Sequence, residues 1–144
     1  MARLSIRPGA VLIAALLGFA IGFIWYSPVL FGGIWMQGHG YTPERLEAMK
    51  GSFPMIYGLS FVCQLVMAIV ISVLLGLTGA SGAAGGAKIG ALGWLGFAAT
   101  TGLTNNLFSD APLSLFAVDT GYQLVYLVLM GAFLGAWKAR EEKR

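Results

Sequence analysis

One acid stands alone inside the apolar stretches of this chain. Asp119 lies in residues 113–137, with no other charge within eight positions on either side of it. Tyr122 and Gln123 follow three and four residues later, so on a helix they share its face. Ser60 and Gln64 repeat the four-residue spacing in residues 53–77, and Thr100, Thr101, Thr104, Asn105 and Asn106 crowd the end of residues 89–108. An ionisable group inside a membrane span costs roughly 3 kcal/mol or more to hold there, so it is a functional candidate by default. The chemistry open to one carboxyl group among amides and hydroxyls is binding of a polar ligand or movement of a proton. The same groups also serve as glue between helices, each hydrogen bond giving roughly 0.6–2 kcal/mol. The residue types leave both readings open for Asp119, Gln123, Tyr122, Gln64, Ser60, Asn105, Asn106 and Thr101.

Other chemistries lack their residues. His39 is the only histidine and Cys63 the only cysteine, which excludes a His/Cys zinc centre and a disulfide framework. A Ser-His-Asp triad would have to recruit His39, which sits between Gly38 and Gly40 with no serine motif beside it. The run from Gly82 to Ile89 nearly spells a phosphate-binding loop. It has Ala87 where the second glycine belongs and Ile89 where a hydroxyl residue belongs, and no strand precedes it. The sequence therefore predicts no enzyme, no cofactor, no metal and no nucleotide partner. Cys63 reads as a small apolar filler.

The elements that must position the polar residues follow from composition. Of 144 residues, 58% are hydrophobic, 21 are glycine, and only 10% are charged. A typical soluble domain carries about 25% charge. Four stretches, at about 10–26, 53–77, 89–108 and 113–137, match the roughly 20 apolar residues that a spanning helix needs. A barrel would need alternating segments, and residues 11–17 and 124–129 do not alternate. The expected fold is all-α: one membrane domain over residues 1–144, built as a bundle of four transmembrane helices.

The connections carry their own signals. Tyr26-Ser27-Pro28 closes the first helix, Ser52 is placed to cap the second, and Asp110 with Pro112 begins the fourth. Trp25, Tyr26 and Trp35 mark one membrane face and Trp137 the other. Trp25 to Pro28 offers no small-residue cleavage site, so the first span reads as an uncleaved anchor. In the loop 27–52 a short interfacial helix is predicted, with Thr42 as N-cap, Pro43 in its first turn and Gly51 at its end. The loop 78–88, rich in Gly and Ala, reads as a flexible turn. Gly18-x-x-x-Gly22, Gly86-x-x-x-Gly90 and Gly131-x-x-x-Gly135 are faces where backbones approach closely, within the chain or between copies in a homo-oligomer.

Orientation follows from the basic residues. Arg3, Arg7, Lys88, Lys138, Arg140, Lys143 and Arg144 fall on one side, and only Arg45 and Lys50 on the other. This asymmetry puts both termini in the cytoplasm. The net charge of +3 is then an orientation signal, and no basic stripe interleaved with aromatics points to nucleic acid.

Trp25-Tyr26-Ser27-Pro28, then Leu30-Phe31-Gly32 and Trp35-Met36, resemble the signature of the bacterial family called domain of unknown function 1761. Gly96 to Thr101, Asn106-Leu107-Phe108, Gly121-Tyr122 and Leu129 to Trp137 are similar to the same family, so the resemblance covers about residues 13–137. It implies a small integral membrane protein of unassigned biochemistry and brings no catalytic residue; the expected location is a bacterial inner membrane. It also implies Asn and His where this chain has Asp119 and Gln123, a position polar in kind rather than acidic. The leading functional expectation is a polar intramembrane cluster that binds membrane lipid or a small molecule. The alternatives are a small dimeric transporter or channel with Asp119 as coupling residue, or an accessory subunit of a larger membrane complex.

Overall fold

Proline in a first helical turn costs nothing, because that turn's N–H groups have no partner anyway. Helix α1, Pro8–Trp25, and helix α3, Pro43–Met49, both begin this way. The computed structural model describes residues 6–143, so Arg3 and Arg144 of the basic count lie outside the described residues. Between α1 and α3 lies a short helix α2, Gly32–Gly38. Thr42 caps α3 by accepting a hydrogen bond from the Arg45 backbone N–H at 3.3 Å. Gly51 does not end that helix. A 3-10 turn, Lys50–Ser52, carries the chain directly into α4, Phe53–Thr78, and Ser52 makes no capping bond because its backbone is already helical. Gly79, at φ +70°, ends α4 in the left-handed conformation that glycine adopts without strain.

The largest departure from expectation follows. Helix α5, Gly82–Gly93, starts seven residues before the predicted position 89, so most of the supposed flexible loop is helical. A π-helical segment, Trp94–Ala99, and helix α6, Thr100–Phe108, continue it without a break. Helix α7, Leu113–Glu142, completes the chain. All regular structure among the described residues is helical. Three stretches are long and apolar enough to cross a membrane: Pro8–Trp25, Pro43–Thr78 and Leu113–Glu142.

The early start of α5 has a packing cause. Its glycines lie on the backbone of α7. A Cβ at Gly86 would overlap the carbonyl oxygen of Gly131, one at Gly90 that of Leu127, and one at Gly135 that of Gly82. Glycine is a poor helix former by propensity alone, but here its missing side chain lets two helices meet at van der Waals contact. Helix α1 uses its glycines in the same way. A Cβ at Gly22 would sit 2.9 Å from the Tyr122 hydroxyl, and Gly18 faces Gln64 and Met130. All three small-residue faces are thus occupied inside the chain.

Helix α7 is the shared partner. It runs antiparallel to α1, with Arg7 and Glu141 paired at 2.6 Å at one end and the Trp25 indole N–H donating to the Val118 carbonyl at 3.0 Å at the other. Ala10, Ala14, Ala68, Leu75, Met130 and Leu134 fill the gap between α1, α4 and α7. At the end where Arg7 meets Glu141, Lys138 donates to the carbonyls of Leu75 and Ala80 at 2.8 and 2.9 Å, satisfying orphan acceptors at the end of α4. The outer faces are apolar: Leu12, Leu16, Val62, Val66, Leu92 and Leu95 are all exposed. An apolar surface on this scale marks an interface with lipid or with protein.

The glycine contact yields a direct prediction. Gly131→Ala forces α5 away from α7 and should destabilise the protein by about 1–3 kcal/mol, the usual range for overpacking. Gly58→Ala, where no atom lies within 4 Å of the added Cβ, should be neutral or slightly stabilising. Melting curves of the two variants in detergent check this pair.

Candidate functional site

The turn between α6 and α7 folds over one side chain. The Asn106 amide nitrogen donates to the Pro112 carbonyl at 3.2 Å, while its own backbone carbonyl accepts from the Ser109 hydroxyl and the Ala111 N–H. The Pro112 carbonyl also accepts from the Leu115 N–H in the first turn of α7. Asn106 is therefore only 8% exposed, with its amide oriented by the turn, and its Oδ1 has no partner. Below the turn, α6 and α7 border an open cleft of about 320 Å³, lined on its polar side by Asn105, Asn106, Ser109, Asp119, Thr120 and Gln123. Gln123 Oε1 is a second buried oxygen without a partner. Buried polar atoms in proteins are nearly always paired, so each such orphan needs an explanation.

Asp119 closes the cleft on the α1 side. The Tyr26 hydroxyl donates to Asp119 Oδ1 at 2.8 Å. The Tyr26 ring packs on Trp35 at 5.5 Å and on Tyr122 at 5.2 Å between centroids, and Trp35 and His39 lie close enough to Asp119 to interact with it. Trp35, His39 and Tyr41 stack on one another, and Arg45 covers the Tyr41 ring at 4.8 Å. The loop helix α2 therefore brings an aromatic cap over the acid.

A second polar group lies deeper, on another face of α7. The Gln64 amide nitrogen donates to the Tyr122 hydroxyl at 3.0 Å, and that hydroxyl donates to the Gly18 carbonyl at 3.1 Å. This relay joins α4, α7 and α1. Gln64 is 5% exposed, and its Oε1 packs against Gly18 as a third buried oxygen without a partner. Tyr126, one turn farther on, donates to the Met67 sulfur at 3.1 Å.

The eight candidate residues thus separate into three places. Asp119, Gln123, Asn105 and Asn106 line one cleft. Tyr122 and Gln64 form the deeper relay. Ser60 and Thr101 are exposed on the outside of the bundle. Aromatic contacts among Phe19, Phe23, Tyr57 and Phe61 occupy the α1–α4 gap near Ser60. Thr100 and Thr104 turn their hydroxyls back to their own helix, onto the carbonyls of Gly96 and Thr100. Trp25 and Tyr26, assigned from sequence to an aromatic belt, instead reach α7. Trp94, in the π segment, donates to the Thr120 carbonyl at 2.8 Å. The available signal was the polar tip of each ring, which seeks a partner when buried.

A hollow of about 290 Å³ at the opposite end is lined by Arg7, Ser72, Trp137, Lys138, Glu141 and Glu142. Its charges face one another: Arg7 pairs with Glu141, and Lys138 stands 3.7 Å from Glu142. No metal-binding group of His, Cys, Asp and Glu occurs among the described residues.

A family model described as "Protein of unknown function (DUF1761)" matches residues 9–135. The match spans most of the chain, which therefore belongs to that family. No curated protein and no solved structure matches the sequence.

The two polar groups differ in what they hold together, and substitution separates them. Tyr122→Phe removes the hydroxyl that both Gln64 and the Gly18 carbonyl use, so it should cost about 1–3 kcal/mol. Asp119→Asn keeps an acceptor for Tyr26 and should change stability by less than about 1 kcal/mol. Asp119→Leu should cost more than the amide, because the Tyr26 hydroxyl loses its partner. The ranking is read from thermal melts of the three variants.

Proposed function

We propose that this protein is a four-span component of the bacterial inner membrane with both termini cytoplasmic, and that the α6–α7 cleft binds a lipid or small molecule in the outer half of the bilayer. The observation that carries this reading is the pair of buried, unpartnered oxygens, Asn106 Oδ1 and Gln123 Oε1, in the wall of a cleft that also holds Asp119. The third such oxygen, Gln64 Oε1, lies in the closed interface of α1, α4 and α7, whereas Asn106 and Gln123 line an open cleft. Acceptors left over beside an open cleft fit a ligand that supplies the donors.

The fourth span in this reading is the continuous helical run from Gly82 to Phe108. At 1.5 Å per residue it reaches roughly 40 Å, enough to cross a bilayer. Its π segment supports the reading as well, since π-bulges inside helices are frequent at functional sites. The orientation rests on the excess of Lys and Arg at the end where Arg7 meets Glu141. The role is binding rather than catalysis: the cleft offers a carboxyl group and amides, with no nucleophile–base pair. Membrane lipid is the proposed partner, and the internal use of all three glycine faces favours a monomeric binding unit over a glycine-mediated homodimer.

Two measurements test this. Reporter fusions after Arg144 should be active in a cytoplasmic assay, and fusions at His39 in a periplasmic one; the reverse pattern at both sites contradicts the orientation. Ala111, at the cleft mouth, is partly exposed and lines the cavity. Native mass spectrometry of protein extracted from membranes should show a stoichiometric adduct on the wild type that Ala111→Phe lacks at unchanged melting temperature. Equal adduct on both proteins, or none on the wild type, contradicts cleft binding.

A further inference from the structure

The acceptors in the cleft define a chemical class of ligand. Asn106 is more than nine-tenths buried, and its amide nitrogen is committed to the Pro112 carbonyl, so Oδ1 is left as the free pole. Gln123 Oε1 is the second free acceptor. Asp119 adds a carboxyl group that accepts from the Tyr26 hydroxyl at Oδ1 and that Trp35 and His39 also approach. Of the basic side chains at this end, Arg45 lies over the Tyr41 ring, Lys50 pairs with Glu47 at 2.5 Å, and His39 stands near Asp119. The cleft is thus rich in acceptors and carries one acid.

Resting on the cleft reading above, we infer that the cleft selects a primary ammonium group. An ammonium carries three N–H donors and no acceptor, together with the charge that complements a carboxylate. Three oxygen-bearing side chains, Asn106, Gln123 and Asp119, match it in number and in sign. A hydroxyl brings one donor with two acceptor lone pairs, and so leaves oxygens facing oxygens. A quaternary ammonium has the charge but no N–H, so the two amide oxygens would stay unpaired beside it. Charge-assisted hydrogen bonds of this kind are roughly twice as strong as neutral ones. Either a lipid headgroup or a free amine can bear the ammonium. Asp119 lies roughly 9 Å below the start of α7, within reach of either from the outer surface.

The test compares ligands that differ only in N–H donors. Wild-type protein is placed in nanodiscs of phosphatidylethanolamine mixed with phosphatidylcholine, and the lipid retained on release is counted by native mass spectrometry. In parallel, free ethanolamine and free choline are titrated in detergent, with the melting temperature as readout. An ethanolamine preference of at least about ten-fold in either arm is the expected result. Preference in the lipid arm alone identifies a headgroup, and preference with the free compound identifies a soluble amine; both support the ammonium assignment. Asp119→Asn should bring the preference close to parity, and Gln123→Leu should weaken it, while Ser60→Ala on the bundle exterior leaves it unchanged. Should Asp119→Asn not fold, Gln123→Leu decides alone. Choline bound as well as ethanolamine, no binding of any of these probes, or a full preference kept by the folded variants overturns the assignment. Lipid that wild type retains and Ala111→Phe loses, without headgroup preference, overturns the ammonium assignment and leaves the cleft reading standing.

Discussion

The backbone contact between α5 and α7 is the constraint on which the rest of the structure depends. Gly86 and Gly90 of one helix meet Gly131 and the Leu127 carbonyl of the other with no side chain between them. In lipid there is no hydrophobic drive to bring helices together, so close packing and hydrogen bonds must do it. That contact explains why a glycine-rich segment, which propensity alone would leave irregular, is helical from Gly82 onward. It also ties α5, which shares little of the α1–α4 core, to the helix that every other long element uses.

Tight approach near the termini has a consequence at the far end. There α6 and α7 are separated by larger groups, with Phe116 and Thr120 against Gly102. The turn around Asn106 and Pro112 rejoins the helices. The space between is the cleft. Two different polar groups result from the same helix: one face of α7 directs Tyr122 into the α1–α4 interface, where its hydroxyl is paired twice, and another directs Asp119 and Gln123 to the cleft, where an acceptor is left over. The first group ties three helices together, and the second borders an open cavity.

Much of this was legible in the sequence because lipid imposes simple rules. The expected starts at 53 and 113 coincide with those of α4 and α7, and the expected 10–26 lies close to Pro8–Trp25. The expected end at 137 falls short of Glu142, because hydropathy marks where lipid stops, whereas Lys138 to Glu142 continue the helix with paired charges. The start of α5 was not legible, since its cause is a partner helix 45 residues away, at Gly131 against Gly86. The polar residues of the site were visible as residue types. Their division into a relay, a cleft and an exterior face was not, because spacing on one helix says nothing of which neighbour each face meets. Tyr26 shows the same gap: its ring reads as an interfacial anchor until Asp119 is seen 2.8 Å away.

The most direct test of this account is a through-space carbon–carbon correlation spectrum of the protein in lipid bilayers with only glycine labelled. With other residue types silent, contacts between α5 and α7 are read without crowding. The account predicts cross-peaks linking Gly86 with Gly131 and Gly82 with Gly135, glycines 45 and 53 residues apart in the chain. A spectrum with correlations only between glycines close in sequence would contradict it.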